Sequence, residues 1–197
     1  MSGLFLAIAL LFLVTVMQLQ KYIEENEQSR VFVIMGIQQQ LEEANIQVDL
    51  DPETGDISIL DNILFRSDSS RLTHAGEKFL DAFVPIYSKV IFSKPEIEEQ
   101  VVRVIVEGHT SSDGSYVHNM ELSLMRSSRV ITYISNKLEF PEKERFLIKL
   151  AASGRGEIEA TQERDIPGER RVMFRIKFKG TDFSGWFKSN HLQSESE

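Results

Sequence analysis

The chain has 197 residues and a formal net charge of −8 with a pI near 5.1, a length for one domain of ordinary size plus appendages. The acidic balance argues against sequence-independent nucleic-acid binding, which relies on basic surface, so no nucleic-acid partner is expected. There is no cysteine, which excludes a disulfide framework, a thiolate metal site and a lipid-modified N-terminal Cys. Four scattered histidines, His74, His109, His118 and His191, show no metal-ligand spacing, and no cofactor is expected.

Met1 to Leu19 contains no charged side chain. At about 1.5 Å per residue such a helix reaches roughly 28 Å, just enough to cross a hydrocarbon core. A secretory signal peptide is the alternative, but the basic n-region and a small-x-small cleavage site are missing, so a membrane anchor over residues 1–20 is the better reading. Residues 21–45 read as a juxtamembrane helix continuing out of the membrane. Val31, Ile34, Ile37, Leu41 and Ala44 recur at spacings of three and four. That stripe fits either a helix packed on its own domain or one that pairs with its copy in a homodimer. A folded domain is expected over 46–180 and a polar tail over 181–197, in which Phe183, Trp186 and Phe187 could dock on the domain or a partner.

Within the domain, Ile46 to Leu60 reads as a hairpin turning at Asp51 to Asp56. Thr73 is an expected N-cap for a helix from His74 to about Phe92, with Phe79, Leu80, Phe83, Ile86 and Val90 at helical period. Pro85 predicts a kink or break there, and His74 a solvated first-turn residue. The β-branched run Val101 to Val106 predicts a strand buried on at least one face. A polar turn, Glu107 to Ser115, leads to a helix from about Val117 to Leu138, with Leu122, Met125, Val130 and Ile134 as apolar-stripe positions. Pro141 is placed to open a short helix, Glu142 to Ala151. Arg171 to Ile176 alternates as a half-buried strand does, with Arg171 expected in a structural ion pair near the site rather than on a ligand.

Gly108-His109-Thr110, Gly114, then Asn119-x-x-Leu122-Ser123-x-x-Arg126-Ser127 resembles the central motif of OmpA-like peptidoglycan-binding domains. Ile63 to Ser70 resembles that family's I-L-F-D-x-G-S-A segment with Arg66 in place of the acid, Ala152 to Glu157 its x-G-x-G-E turn, and Glu169 to Val172 its N-R-R-V run. The resemblance implies an α+β OmpA-like sandwich, a mixed β-sheet with helices on one face, and recognition of a peptidoglycan stem peptide without covalent chemistry. Its site residues would be Asn119, Leu122, Arg126, Thr110, Ser111, Asp113 and Arg171. A partly exposed Arg126 would pair bidentately with a ligand carboxylate, and Asn119 and the amides of the Thr110–Gly114 turn would hydrogen-bond the rest. The family's acid, which takes the ligand's ammonium, is Ser111 here; either Asp113 substitutes for it or affinity is lower. His109, Asp113 and Ser123 do not make a triad by spacing, and no enzyme is expected.

Met1-Ser2-Gly3-Leu4-Phe5 resembles the start of the single span in stator subunits of the MotB type and in the related ZorB subunits of anti-phage Zorya systems. The family's ion-carrying Asp would fall two residues ahead of Met1, and the first acid here is Glu24; an upstream start is expected over a tether that has lost the acid. Lys21 and Arg30 after the span mildly disfavour an outside C-terminus, but the peptidoglycan motif points to an inner-membrane, single-pass chain with its C-terminal domain in the periplasm. The resemblance implies a homodimeric stator subunit working with a multi-span MotA-like or ZorA-like partner. A static envelope tether without an ion path is the alternative.

Overall fold

The computed structural model describes residues 2–161 and 166–180; the tail at 181–197, with Phe183, Trp186 and Phe187, lies outside the described residues. Helix α1, Ser2–Glu43, is a single element. It joins the apolar stretch, long and apolar enough to cross a membrane, to the juxtamembrane segment without interruption. The packing stripe keeps Ile34, Ile37 and Leu41 of the expected set and differs at its ends. Val33, Ile34, Ile37 and Leu41 are buried, whereas Val31 is 53% exposed and Ala44 is exposed. Both sets satisfy the i, i+3, i+4 pattern, and contact with the domain selects between them. The helix therefore packs on its own domain, the first of the two alternatives.

Strands β1 (Asp49–Leu50) and β2 (Ile57–Leu60) form the expected antiparallel hairpin. A four-residue helix α2 (Asp61–Leu64) follows, then α3 (His74–Ile91), capped by Thr73, whose hydroxyl accepts from the Gly76 amide at 2.9 Å. Helix α3 is continuous through Pro85, against the expected kink or break. Its aromatic face holds it: Phe83 meets Phe174 edge-on at 5.0 Å, and Tyr87 lies 5.8 Å from the same ring. His74 is exposed, as expected.

Helix α4 (Pro95–Gln100), not anticipated, leads into β3 (Val101–His109). Then come α5 (Tyr116–Lys137), α6 (Lys143–Lys149), β4 (Leu150–Gly156) and β5 (Arg171–Phe178). Two expectations change here. Pro141 precedes α6 instead of opening it, and Leu150 to Gly156 is a strand, so the expected turn at Ala152 begins only at the strand's end. The sheet order is β1-β2-β5-β3-β4, with β3 and β4 parallel and the other neighbours antiparallel. This is the expected α+β arrangement with a mixed sheet.

One sheet face carries Ile57, Ile59, Val104, Val106, Val172 and Phe174, all buried in the core with Leu80, Phe83 and Tyr87 of α3 and Val130 and Ile134 of α5. Met125, expected in the stripe of α5, is instead 51% exposed. Gly108 and Gly154 let α5 lie directly on β3 and β4: a Cβ at Gly154 would stand 2.7 Å from the Leu124 amide nitrogen. That close approach fixes where the polar side chains of α5 emerge.

Candidate functional site

Helix α5 begins at the C-terminal ends of β3 and β4. Ser115 caps it, accepting from the His118 amide at 3.3 Å, and Gly114 before it has φ +104°, a conformation that favours glycine. The strand ends are tied together by the Thr110 amide donating to the Gly156 carbonyl at 2.9 Å, and Gly156 N–H donates to the Ser123 hydroxyl at 3.0 Å. Asn119 is buried here and its amide donates to the Glu157 carboxylate. Thr110 and Ser111 are buried as well, the Thr110 hydroxyl without a partner, while Asp113 is exposed. Thr110 and Asn119 thus share one polar corner.

Arg126 stands two turns further along α5, about 10 Å along the axis. The expected partly exposed guanidinium is in fact 1% exposed. Its Nη2 lies 3.0 Å from Oδ2 of Asp61, its Nε donates to the Ser69 carbonyl at 3.0 Å, and it stacks over the Phe65 ring at 5.4 Å. The ring and the loop after α2 cover the positive charge, which is why it is buried. His118 holds the same loop through Asp68 at 2.9 Å. Two atoms of the pair have no hydrogen-bond partner: Nη1 of Arg126 and Oδ1 of Asp61.

Burial pushes the Asp61 carboxyl above the usual range, against the charges of Arg126 and Arg170, and burial likewise lowers Arg126 against the pull of Asp61. Beside the pair is a cavity of about 190 Å³ lined by Asp61, Asn62, Phe65, Ser67 and Arg170, among others. Sequence reasoning missed Asp61. The nearest signal was the resemblance of the adjoining Ile63 to Ser70 segment, which ends just short of it.

Two other expected site residues fall elsewhere. Leu122 is buried, at 6% exposure. Arg171 lies on the sheet face away from α5, opposite His109 in register, and pairs with Glu159 at 3.3 Å, the structural ion pair expected of it. On that face Glu107, buried beneath, accepts from Arg175 at 2.9 Å and bonds His109 at 3.1 Å, and Arg175 also reaches Asp56 at 3.0 Å. Burial pushes Glu107 up, but the hydrogen bonds and charges of His109 and Arg175 outweigh it and hold the carboxyl at about 2. Glu107, His109 and Glu159 bring possible metal-donor atoms within 4.8 Å of one another. Arg175 and Arg171 already neutralise the two carboxylates, so the donor set fits an ion-pair network better than a cation.

No family model matches the chain. It is 26% identical over 166 residues to Zorya protein ZorB of Escherichia coli strain ATCC 8739, covering 77% of this chain and 69% of that one. Against Zorya protein ZorB of Escherichia coli O139:H28 it is 30% identical over 135 residues, covering 66% of this chain and about half, 54%, of the relative. Among solved structures, a MotB-like protein from Desulfovibrio vulgaris superposes with a TM-score of 0.55 at 18% identity, over 83% of this chain and 97% of that one. The periplasmic domain of Helicobacter pylori MotB superposes with a TM-score of 0.50 at 16% identity, over 75% and 98%. The chain is therefore ZorB-like in sequence and MotB-like in fold, with one apolar N-terminal helix that fits a single membrane span.

Proposed function

We propose that this chain is a membrane-anchored, peptidoglycan-binding stator subunit, working as a homodimer with a multi-span MotA-like or ZorA-like partner in an ion-driven motor. Its apolar helix would cross the inner membrane with the folded domain in the periplasm. The observation that carries the reading is the continuity between anchor and pocket. Helix α1 runs unbroken from Ser2 to Glu43, and its Val33, Ile34, Ile37 and Leu41 are buried in the domain that holds Arg126. A load on a wall-bound domain would pass directly into the membrane helix. The domain bounds follow the same division: span at 1–20, packed helix at 21–45, wall-binding domain at 46–180.

The pocket chemistry supports a stem-peptide ligand. Arg126 offers a guanidinium aligned by Ser69 and Asp61, with Nη1 still unpartnered, and the Thr110 hydroxyl adds a second unpartnered polar group. The test is co-sedimentation of detergent-solubilised full chain with purified sacculi. Arg126→Lys keeps a charge opposite Asp61 but loses the planar fork, and should reduce retention about ten-fold or more. Arg129→Ala, on the same helix but exposed, should not. Wild-type retention by Arg126→Lys would remove this pocket from the reading. A static envelope tether without an ion path is the competing reading. Ion flux on co-expression with the multi-span partner separates the two.

A further inference from the structure

Arg126 is covered, and most of the cover is one short loop. The guanidinium is 1% exposed and lines neither of two nearby cavities. Phe65 and Ser67 border the one of about 190 Å³ with Asp61 and Arg170, and Ser69 and Ser70 border one of about 490 Å³ with Arg129. The loop of residues 66–71 thus borders both spaces and lies over the arginine, so a solute in either reaches the guanidinium only if this cover moves. The base of the loop is pinned: Phe65 bridges to Leu72, and the Thr73 amide donates to the Leu64 carbonyl at 2.9 Å. The tip, Arg66, Ser67 and Asp68, is exposed. Among the described residues two hydrogen bonds join the loop to α5: Arg126 Nε donates to the Ser69 carbonyl at 3.0 Å, and His118 Nε2 lies 2.9 Å from the Asp68 carboxylate.

Asp68 works against this closure. Its φ is +50°, a left-handed conformation that residues other than glycine adopt at a cost, Asp and Asn at less than most. The bond to His118 offsets that cost. So does the charge of Arg126, which Asp61 and Asp68 attract and Arg170 repels. We infer that His118 is a positioning residue of the Arg126 site: its bond to Asp68 is a latch that holds the strained 66–71 loop closed over the guanidinium, and its release admits a ligand. The consequence for binding rests on the reading of this site as a stem-peptide pocket; the latch itself does not. The two side chains are 49% and 72% exposed, and an exposed pair shifts an equilibrium by only a few-fold. That strength suits a cover that opens in ordinary use.

The experiment reads the cover directly. Phenylglyoxal modifies accessible guanidinium groups, and mass-spectrometric peptide mapping gives the rate at each arginine of the full chain in detergent. In the wild type Arg126 should react far more slowly than the exposed Arg129 on the same helix. His118→Ala keeps the backbone amide that Ser115 caps and the Asp68 charge. It should speed Arg126 about two- to five-fold and leave Arg129 unchanged. Asp68→Ala loses the latch and keeps the strain, so it should speed Arg126 at least as much; Asp68→Gly loses both and should speed it less. Because the pair acts as a unit, His118→Ala combined with Asp68→Ala should be no faster than Asp68→Ala alone. Unchanged Arg126 rates in the single variants, additive effects in the double variant, or equal acceleration of Arg129 would each overturn the latch. In stopped-flow mixing with a synthetic stem peptide, His118→Ala should associate faster by a similar factor. An unchanged association rate beside a more reactive Arg126 would refute the gating step. Failure of the wild type to bind the peptide or sacculi would instead bring down the stem-peptide reading, with the modification rates still deciding the latch.

Discussion

Replacing Arg126 with Ala removes a guanidinium from a place where a carboxylate remains. Asp61 would be left 3.0 Å from nothing cationic on α5, buried, with Oδ1 already unpartnered, and the Ser69 carbonyl would lose its donor. Breaking one side of a buried ion pair costs about 3–5 kcal/mol. The stacking on Phe65 is lost as well. One effect limits the damage: burial already raises the Asp61 carboxyl, and without Arg126 it rises further, so the variant can neutralise itself by taking up a proton. The expected loss is therefore at the lower end, about 3 kcal/mol near neutral pH, and it shrinks as the pH falls and Asp61 protonates. Urea unfolding of the full chain in detergent, followed by far-UV circular dichroism, reads this as a shifted midpoint at constant slope. The double variant Asp61→Leu with Arg126→Met removes both charges and should recover most of the loss. A single variant within about 0.5 kcal/mol of wild type, or a double variant no better than the single, would refute the claim that the pair is buried and mutually dependent.

Glu107 predicts an acid limb in the stability curve. Its ordinary value is 4.5 and the folded value about 2, so its contribution is complete above about pH 4.5 and is lost as the pH falls through about 2. It amounts to at most about 3 kcal/mol, and Glu107→Gln should flatten the wild-type slope across that window in unfolding curves taken at a series of pH values. Gly154→Ala should destabilise by more than 1 kcal/mol, because the new Cβ would stand 2.7 Å from the Leu124 nitrogen and 2.8 Å from the Ser123 hydroxyl. A melting temperature equal to wild type would show that α5 can retreat from β4.

Much of the fold was legible because local pattern and tertiary demand agreed. Thr73 and the stripe of α3, the hairpin at Asp51 to Asp56, and the β3–turn–α5 unit all form where residue type predicts. Strand β4 was hidden because Leu150 to Gly156 is rich in Ala, Ser and Gly, which read as turn. Those small residues are needed where α5 presses on the sheet, and packing, not propensity, makes them a strand. The start of the α1 stripe was ambiguous for a similar reason: Val31 and Val33 are equally apolar, and only the surface of the domain chooses Val33. Arg126 was found by its motif, but its burial was not, because burial depends on Phe65, Ser69 and Asp61 from a distant segment. No periodicity links Asp61 to α5.

That distance explains why the site is built from a neutral pair and not from an open cation. A lone arginine at 1% exposure on α5 would carry a desolvation cost that nothing local offsets. The β2–α2 junction supplies the offset by placing Asp61 at 3.0 Å, so folding of that junction and formation of the pocket are one event. The site cannot loosen without exposing a buried charge pair. The same logic reaches α1. Its buried residues Val33, Ile37 and Leu41 belong to one apolar cluster with Leu64 and Phe65, and the Phe65 ring stacks on Arg126. On the proposed function, force entering at the Arg126 site and leaving along α1 would meet in a single packed core, with no break in the helix among the described residues.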